Sequence, residues 1–287
     1  MSTDVGATAL VDERPADGPA ADGPAAPAPA RRTRWAVRLL PVITTLALLA
    51  VWELLSRTHV LPAEIPPVSA IFEAVVELVP TKAFAASLGA TAEQFAIGLL
   101  IGGAAGVALG VLLGGVPVLY RISRYLLDFL RSIPAVVYLP VLILLLGATA
   151  PVSYVLGAIG ALWPLLFQTF YGVAGVPPLL RDTGRVFGLR PHQRLLHITL
   201  PAVSPFVATG LRIAASHVLV VVVAVEIISA VPGLGADIAV YATNGVYPQM
   251  YALVFVVGVL GVAVNYVLQR LERRQLHWHT SHRGADS

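Results

Sequence analysis

LRDTGRVFGLRPHQRLLHITLP, residues Leu180–Pro201, interrupts an otherwise apolar chain with four arginines, Arg181, Arg185, Arg190 and Arg194. Pro177 and Pro178 suit a helix start, and Leu179, Leu180, Val186 and Phe187 fall on one helical face at i, i+1, i+7 and i+8. Arg181, Asp182 and Arg185 fall on the other side. Gly188 supplies a C-terminal stop, and Pro191 opens a second short helix through Leu195, Leu196 and Ile198. A solvated loop would explain the arginines but not this helix–Gly–helix pattern. An ordered, charged element between two membrane spans points to contact with something outside the bilayer.

The 287 residues are 57% hydrophobic and 12% charged, with mean hydropathy +0.79. Soluble domains carry roughly 25% charged residues, so the composition is that of an integral membrane protein. Cysteine is absent, which excludes disulfides and any thiolate metal or redox site. Residues 1–34, rich in Ala, Pro, Gly and Asp at the start, read as a disordered cytoplasmic tail. No short apolar core with a cleavage site follows, so the first span (35–57) stays attached as an anchor.

A span needs about 20 mainly apolar residues. Six stretches qualify: roughly 36–56, 94–117, 125–147, 151–172, 206–230 and 250–269. The third contains Asp128, Arg131, Pro134 and Pro140, which a membrane helix tolerates only where neighbours satisfy the freed backbone. Arg31, Arg32, Arg34 and Arg38 precede the first span, Arg121 and Arg124 lie between the second and third, and Arg270, Arg273, Arg274 and Arg283 follow the sixth. With the four arginines of the quoted segment, these put both termini in the cytoplasm. The basic residues answer to topology, so no nucleic-acid partner is invoked. Residues 58–93 then lie at the outer face. Within them SAIFEAVVELV sets Ile71, Val75 and Leu78 on one stripe of an amphipathic helix. Residues 94–270 form a five-helix core enclosing the segment 176–201, and 271–287 form a cytoplasmic tail.

Gly98, Gly102, Gly106, Gly110 and Gly114 recur at four-residue spacing and share one helix face, stripped for close approach of another helix. Tight packing within the subunit explains the ladder, and an interface that slides during transport is the functional alternative. Arg131, three residues after Asp128, suits a local ion pair or snorkelling to the inner boundary; Arg212 also suits the inner boundary. Glu226 stands toward the outer end of the fifth span, where a carboxylate needs water or a partner. It lines a pathway or docking surface, or it holds a neighbouring loop. There is no GxxxxGK[ST] phosphate loop, and the only lysine, Lys82, falls on the outer side, so this chain carries no such ATPase site. HExxH and GxSxG are also absent. His277, His279 and His282 read as a frayed tail rather than a metal site. No cofactor is called for.

Asp182-Thr183-Gly184-x-x-x-Gly188, followed by Leu200-Pro201, Pro205 and Gly210-Leu211-Arg212, resembles the EAA loop of binding-protein-dependent ATP-binding-cassette importer permeases. The chain departs from that pattern at the triplet, with Asp-Thr-Gly for Glu-Ala-Ala. Ser87-Leu88 before the glycine ladder, Arg131-x-x-Pro134 with Pro140, Ala224-x-Glu226 followed by Pro232-Gly233-Leu234-Gly235, and LERRQLHW ending at Trp278 resemble the nitrate/sulfonate/taurine branch. The resemblance implies an all-α, type-I importer permease fold with six spans in the inner (plasma) membrane. It implies two permease subunits, a homodimer, around a central pathway. Each docks on a cytoplasmic ATPase subunit through Asp182, Thr183, Gly184, Arg185, Phe187, Gly188, Leu200 and Pro201. An extracellular or lipid-anchored binding protein delivers a small solute, such as a sulfonate or nitrate. Arg131, Pro134 and Glu226 are the candidate pathway or gating residues. A secondary transporter would instead show charges deep in several spans and related halves, which are not seen. A scaffold would keep the inner segment as an epitope without transport, and a membrane enzyme lacks a nucleophile or metal constellation.

Overall fold

A computed structural model describes residues 31–275, all helix and connecting turns. Most of the acidic N-terminal stretch, together with His277, Trp278, His279 and His282, lies outside the described residues. The chain divides into two units, one through Ala50 and one from Val51 onward. The first helix, α1 (Arg31–Arg57), runs from one into the other. Its apolar residues Leu39, Leu46 and Leu48 are exposed, as on a helix facing lipid.

In the second unit, α2 (Val68–Leu78) buries Ile71 and Ala74 beside Ala252, Tyr251 and Trp52. Helix α3 (Lys82–Gly115) starts well before the expected position 94. The Thr81 hydroxyl caps it by accepting from the Phe84 N–H at 3.1 Å. The sequence assigns residues up to 93 to the outer-face segment, yet Thr91, and Gln94 one turn further on, belong to the same helix. Both are buried against protein.

The third span is not one helix. An amphipathic α4 (Pro117–Arg131) that buries no residue ends at Ser132, and a 3-10 turn over Ala135–Tyr138 leads into α5 (Leu139–Leu146). The two halves meet at 80°. Pro134 lacks an N–H to continue the ladder and has extended backbone, ψ 133°, so the helix breaks just before it. Helix α6 (Ala150–Ala174) follows, then α7 (Pro178–Val186). The expected second short helix is not separate. Helix α8 (Pro191–Arg194) passes through a π-helical turn, Leu195–Thr199, directly into α9 (Leu200–Ser229). The wider turn lets the Leu200 N–H reach the Leu195 carbonyl just before Pro201, which has no N–H to give. Helices α10 (Leu234–Thr243) and α11 (Tyr247–Gln275) complete the described chain. Among the described residues five helices are long and apolar enough to span a bilayer, and the bent α4–α5 pair makes a sixth when it is counted as one broken span.

The core is a layer of α3, α6 and α9. Ala161, Leu165, Ala214, Val218 and Val222 are fully or almost fully buried between α6 and α9. The glycine ladder faces α6. A Cβ on Gly98 would stand 3.0 Å from the Gly157 Cα, and on Gly106 2.7 Å from the Leu162 carbonyl oxygen. Any larger side chain would hold the two backbones apart.

Candidate functional site

Three places gather the residues singled out by sequence. The first is the inner segment. Helix α7 stands between α6 and α8 with Leu179, Val186 and Phe187 all more than three-quarters exposed. Large apolar side chains left open on a short polar helix are unfavourable in water and mark a surface that meets a partner. Asp182 and Arg185 pair at 2.9 Å, an i,i+3 bridge that stiffens the other side. Gly188 takes φ +69°, the left-handed conformation that lets the chain turn out of α7. Gly184 packs against the π-helical turn: a Cβ there would meet the Ile198 Cδ1 at 2.6 Å and the Arg194 Cγ at 3.1 Å. The departure from Ala at this position therefore coincides with a tight seat for α7. Leu200 and Pro201 begin α9, so α7 is tied to a span through one continuous helix.

The second place is the break in the third span. Arg131 and Pro134 line a cavity of about 530 Å³ against the middles of α6 and α9. The Arg131 guanidinium lies over the Phe167 ring, 4.9 Å from its centre, and its Nε pairs with Asp128 at 3.1 Å. Arg212, by contrast, is tied across to Glu272 of α11 at 3.7 Å.

The third place is Glu226, fully buried. Thr91 Oγ1 lies 2.9 and 3.1 Å from the two carboxylate oxygens, Gln94 Nε2 donates at 3.2 Å, and the Gly235 N–H donates at 2.8 Å. Thr91 Oγ1 also accepts from the Leu234 N–H at 2.9 Å, and Gln94 Nε2 reaches the Pro232 carbonyl at 2.9 Å. A carboxylate on α9 thus fastens α3 to the turn that opens α10. Glu226 does not join the cavity that Arg131 and Pro134 share.

The family model for the inner membrane component of binding-protein-dependent transport systems matches residues 102–277, more than half of the chain. The chain belongs to this permease family. The nitrate import permease protein NrtB of Leptolyngbya laminosa is 28% identical over 178 residues, 62% of this chain and 64% of that one. A Bacillus subtilis (strain 168) protein named as an aliphatic sulfonates transport permease, SsuC, is 27% identical over 250 residues, covering 86% and 88%. The bicarbonate transport system permease protein CmpB of Synechocystis sp. is 26% identical over 189 residues, covering 66% of each. Among solved structures, a chain of the inward-facing MetNI methionine ABC transporter superposes with TM-score 0.58 at 19% identity, covering 65% of this chain and 93% of that one. The fold is that of a permease of this type, and the protein is a multi-pass component of the inner membrane.

Several residues of this permease's sites escape a reading of its sequence. Gln168 and His217 line the cavity with Arg131, and Thr91 and Gln94 hold Glu226. Each sits in a predominantly apolar helix, with no spacing motif. The usable signal is that an isolated polar side chain within a span requires a partner.

Proposed function

We propose that this permease forms the translocation pathway of an ATP-driven importer of small oxyanions, with α7 as the lever on which a separate ATPase subunit acts. The observation that carries the reading is the exposed apolar face of α7, seated against the π-helical turn at the head of a span. Leu179, Val186 and Phe187 are suited to a hydrophobic cleft, and Gly188 frees α7 from α8 while Gly184 seats it on the π-helical turn. A push on α7 would pass through α8 and the π-helical turn into α9 as a tilt, since packed helices move as rigid bodies rather than deforming continuously. The oxyanion class follows from relatives named for nitrate, sulfonate and bicarbonate. A second permease copy and an extracellular binding protein complete the assembly.

The test is a pair of substitutions in the complete transporter. Gly188→Val forces a β-branched residue into the left-handed region, costing roughly 1–2 kcal/mol where the lever must turn. Gly188→Asn adopts that region readily, and a Cβ at this position meets nothing within 4 Å. Gly188→Val should keep membrane insertion and ATP turnover but lose uptake, and Gly188→Asn should keep all three. Normal uptake by Gly188→Val removes α7 from the mechanism.

A further inference from the structure

The cavity behind Arg131 has a chemistry that α7 and the glycine ladder do not explain. Three hydrogen-bonding side chains reach its wall from three separate elements: Arg131 at the end of α4, Gln168 on α6 and His217 on α9. Trp163 also lines it, and its buried indole Nε1 finds no hydrogen-bond partner among the described residues. The remaining wall is largely apolar, with Ile133, Ile159 and Val221.

The site is deep. Phe167, beneath the guanidinium, is seven residues from the inner end of α6, about 10 Å along a helix. His217 is twelve residues from the outer end of α9, about 18 Å. Both lie within the stretch that a hydrocarbon layer about 30 Å thick would cover. A cation kept at such depth marks a pathway more often than a structural tie. Its partner Asp128 meets the guanidinium at Nε, 3.1 Å away, and half of the Arg131 side chain stays uncovered. The two Nη groups remain in the geometry that grips two oxygens of one anion.

We propose that this cavity is a recognition station for the transported solute, selective for weakly hydrated monovalent oxyanions such as nitrate or an alkanesulfonate. Arg131 takes two oxygens, the Gln168 amide and the His217 imidazole N–H supply further donors, and the apolar wall takes a short alkyl tail. A dianion such as sulfate is refused because removing its tighter hydration in an apolar cavity costs more than one guanidinium returns. The proposal rests on the importer reading for its biological sense, but its chemistry is separately measurable.

The experiment uses the full chain in lipid nanodiscs, with Trp35→Phe, Trp52→Phe and Trp278→Phe leaving Trp163 as the only indole. Its emission is quenched with nitrate and, in parallel, with neutral acrylamide. Arg131→Gln should weaken nitrate quenching about tenfold, the equivalent of one lost charge-assisted contact, and leave acrylamide quenching unchanged. Asp128→Asn, an exposed change that preserves packing, should strengthen it by freeing the guanidinium. Ethanesulfonate should compete with nitrate, and sulfate at equal ionic strength should not. Nitrate quenching that ignores Arg131, or equal competition by sulfate, overturns the proposal. If quenching behaves as expected but the complete transporter imports none of the oxyanions, the importer reading falls and the anion site stands.

Discussion

Replacing Gly102 by alanine adds one methyl group at the tightest point of the α3–α6 seam. That methyl would come within 2.7 Å of both the Cα and the carbonyl carbon of Ala158, and nearer still to its oxygen. Ordinary contact begins near 3.4 Å, so the carbon contacts alone require the helices to part by 3.4 − 2.7 = 0.7 Å and the nearer oxygen requires more. Backbone, not a flexible side-chain end, is in the way, and the whole seam must open. A gap of this size forfeits roughly a third of each contact's dispersion energy, so about 40 atom pairs at ~0.15 kcal/mol would lose ~2 kcal/mol. Local crowding adds roughly 1–3 kcal/mol of overpacking strain. Against this stands the better helix propensity of alanine, at most about 1 kcal/mol. Gly102→Ala should therefore destabilise the protein by roughly 2–4 kcal/mol net. Gly89→Ala is the control. It lies on the same helix with nothing within 4 Å of its Cβ, so only the propensity gain remains. Thermal unfolding of both variants in the same detergent, followed by tryptophan emission, measures the difference. If Gly102→Ala is as stable as Gly89→Ala, the ladder is not the contact that holds α3 to α6.

Two further outcomes are expected. Glu226→Ala strands the buried Gly235 N–H and the Thr91 hydroxyl, at about 1–3 kcal/mol for each lost partner, whereas Glu226→Gln keeps one acceptor and loses less. Thermal unfolding should rank wild type, Gln, Ala in falling order, and an Ala variant as stable as wild type would remove the node from the fold. For topology, the cysteine-free chain allows single-site labelling with a membrane-impermeant maleimide: Lys82→Cys should react from outside and Arg190→Cys only after the membrane is opened. The reverse result inverts the orientation.

How much of this was legible in the sequence depended on whether a feature repeats. The glycine ladder recurs every four residues, and the α7 pattern is bounded by Pro177–Pro178 and Gly188, so both could be read before any coordinates. Composition alone fixed the membrane class. The start of α3 could not be read, because hydropathy scores Thr91 as polar without knowing that Glu226, 135 residues away, receives it. The break before Pro134 was only half visible. Proline warns that a helix is at risk, but whether it kinks or ends depends on what packs beside it, here α6 and the cavity. The continuity of α8 into α9 was also hidden. Apolar content marks a span only from about residue 206, and the π-helical turn carries the helix into it from Pro191 past Pro201 without a break.

The three sites have different mechanical characters, and that difference bears on how a permease could move. Glu226 ties α3, α9 and the start of α10 with hydrogen bonds inside the buried core, and the glycine ladder locks α3 to α6 backbone against backbone. These contacts make α3, α6 and α9 a single stiff body along the length of the ladder, fastened once more at Glu226. The irregular elements lie elsewhere: α9 is entered through a π-helical turn, α7 leaves through a left-handed glycine, and α4 meets α5 at 80° beside the cavity at mid-helix. Motion imposed at α7 would be carried by α9 and resisted at Glu226, so the displacement falls on the elements between. The middle of α9, with His217, and the break at Arg131–Pro134 lie there, facing the cavity. A pathway that opens and shuts at that level needs no deformation of the core, only a change in the angle at which the broken span meets its two neighbours.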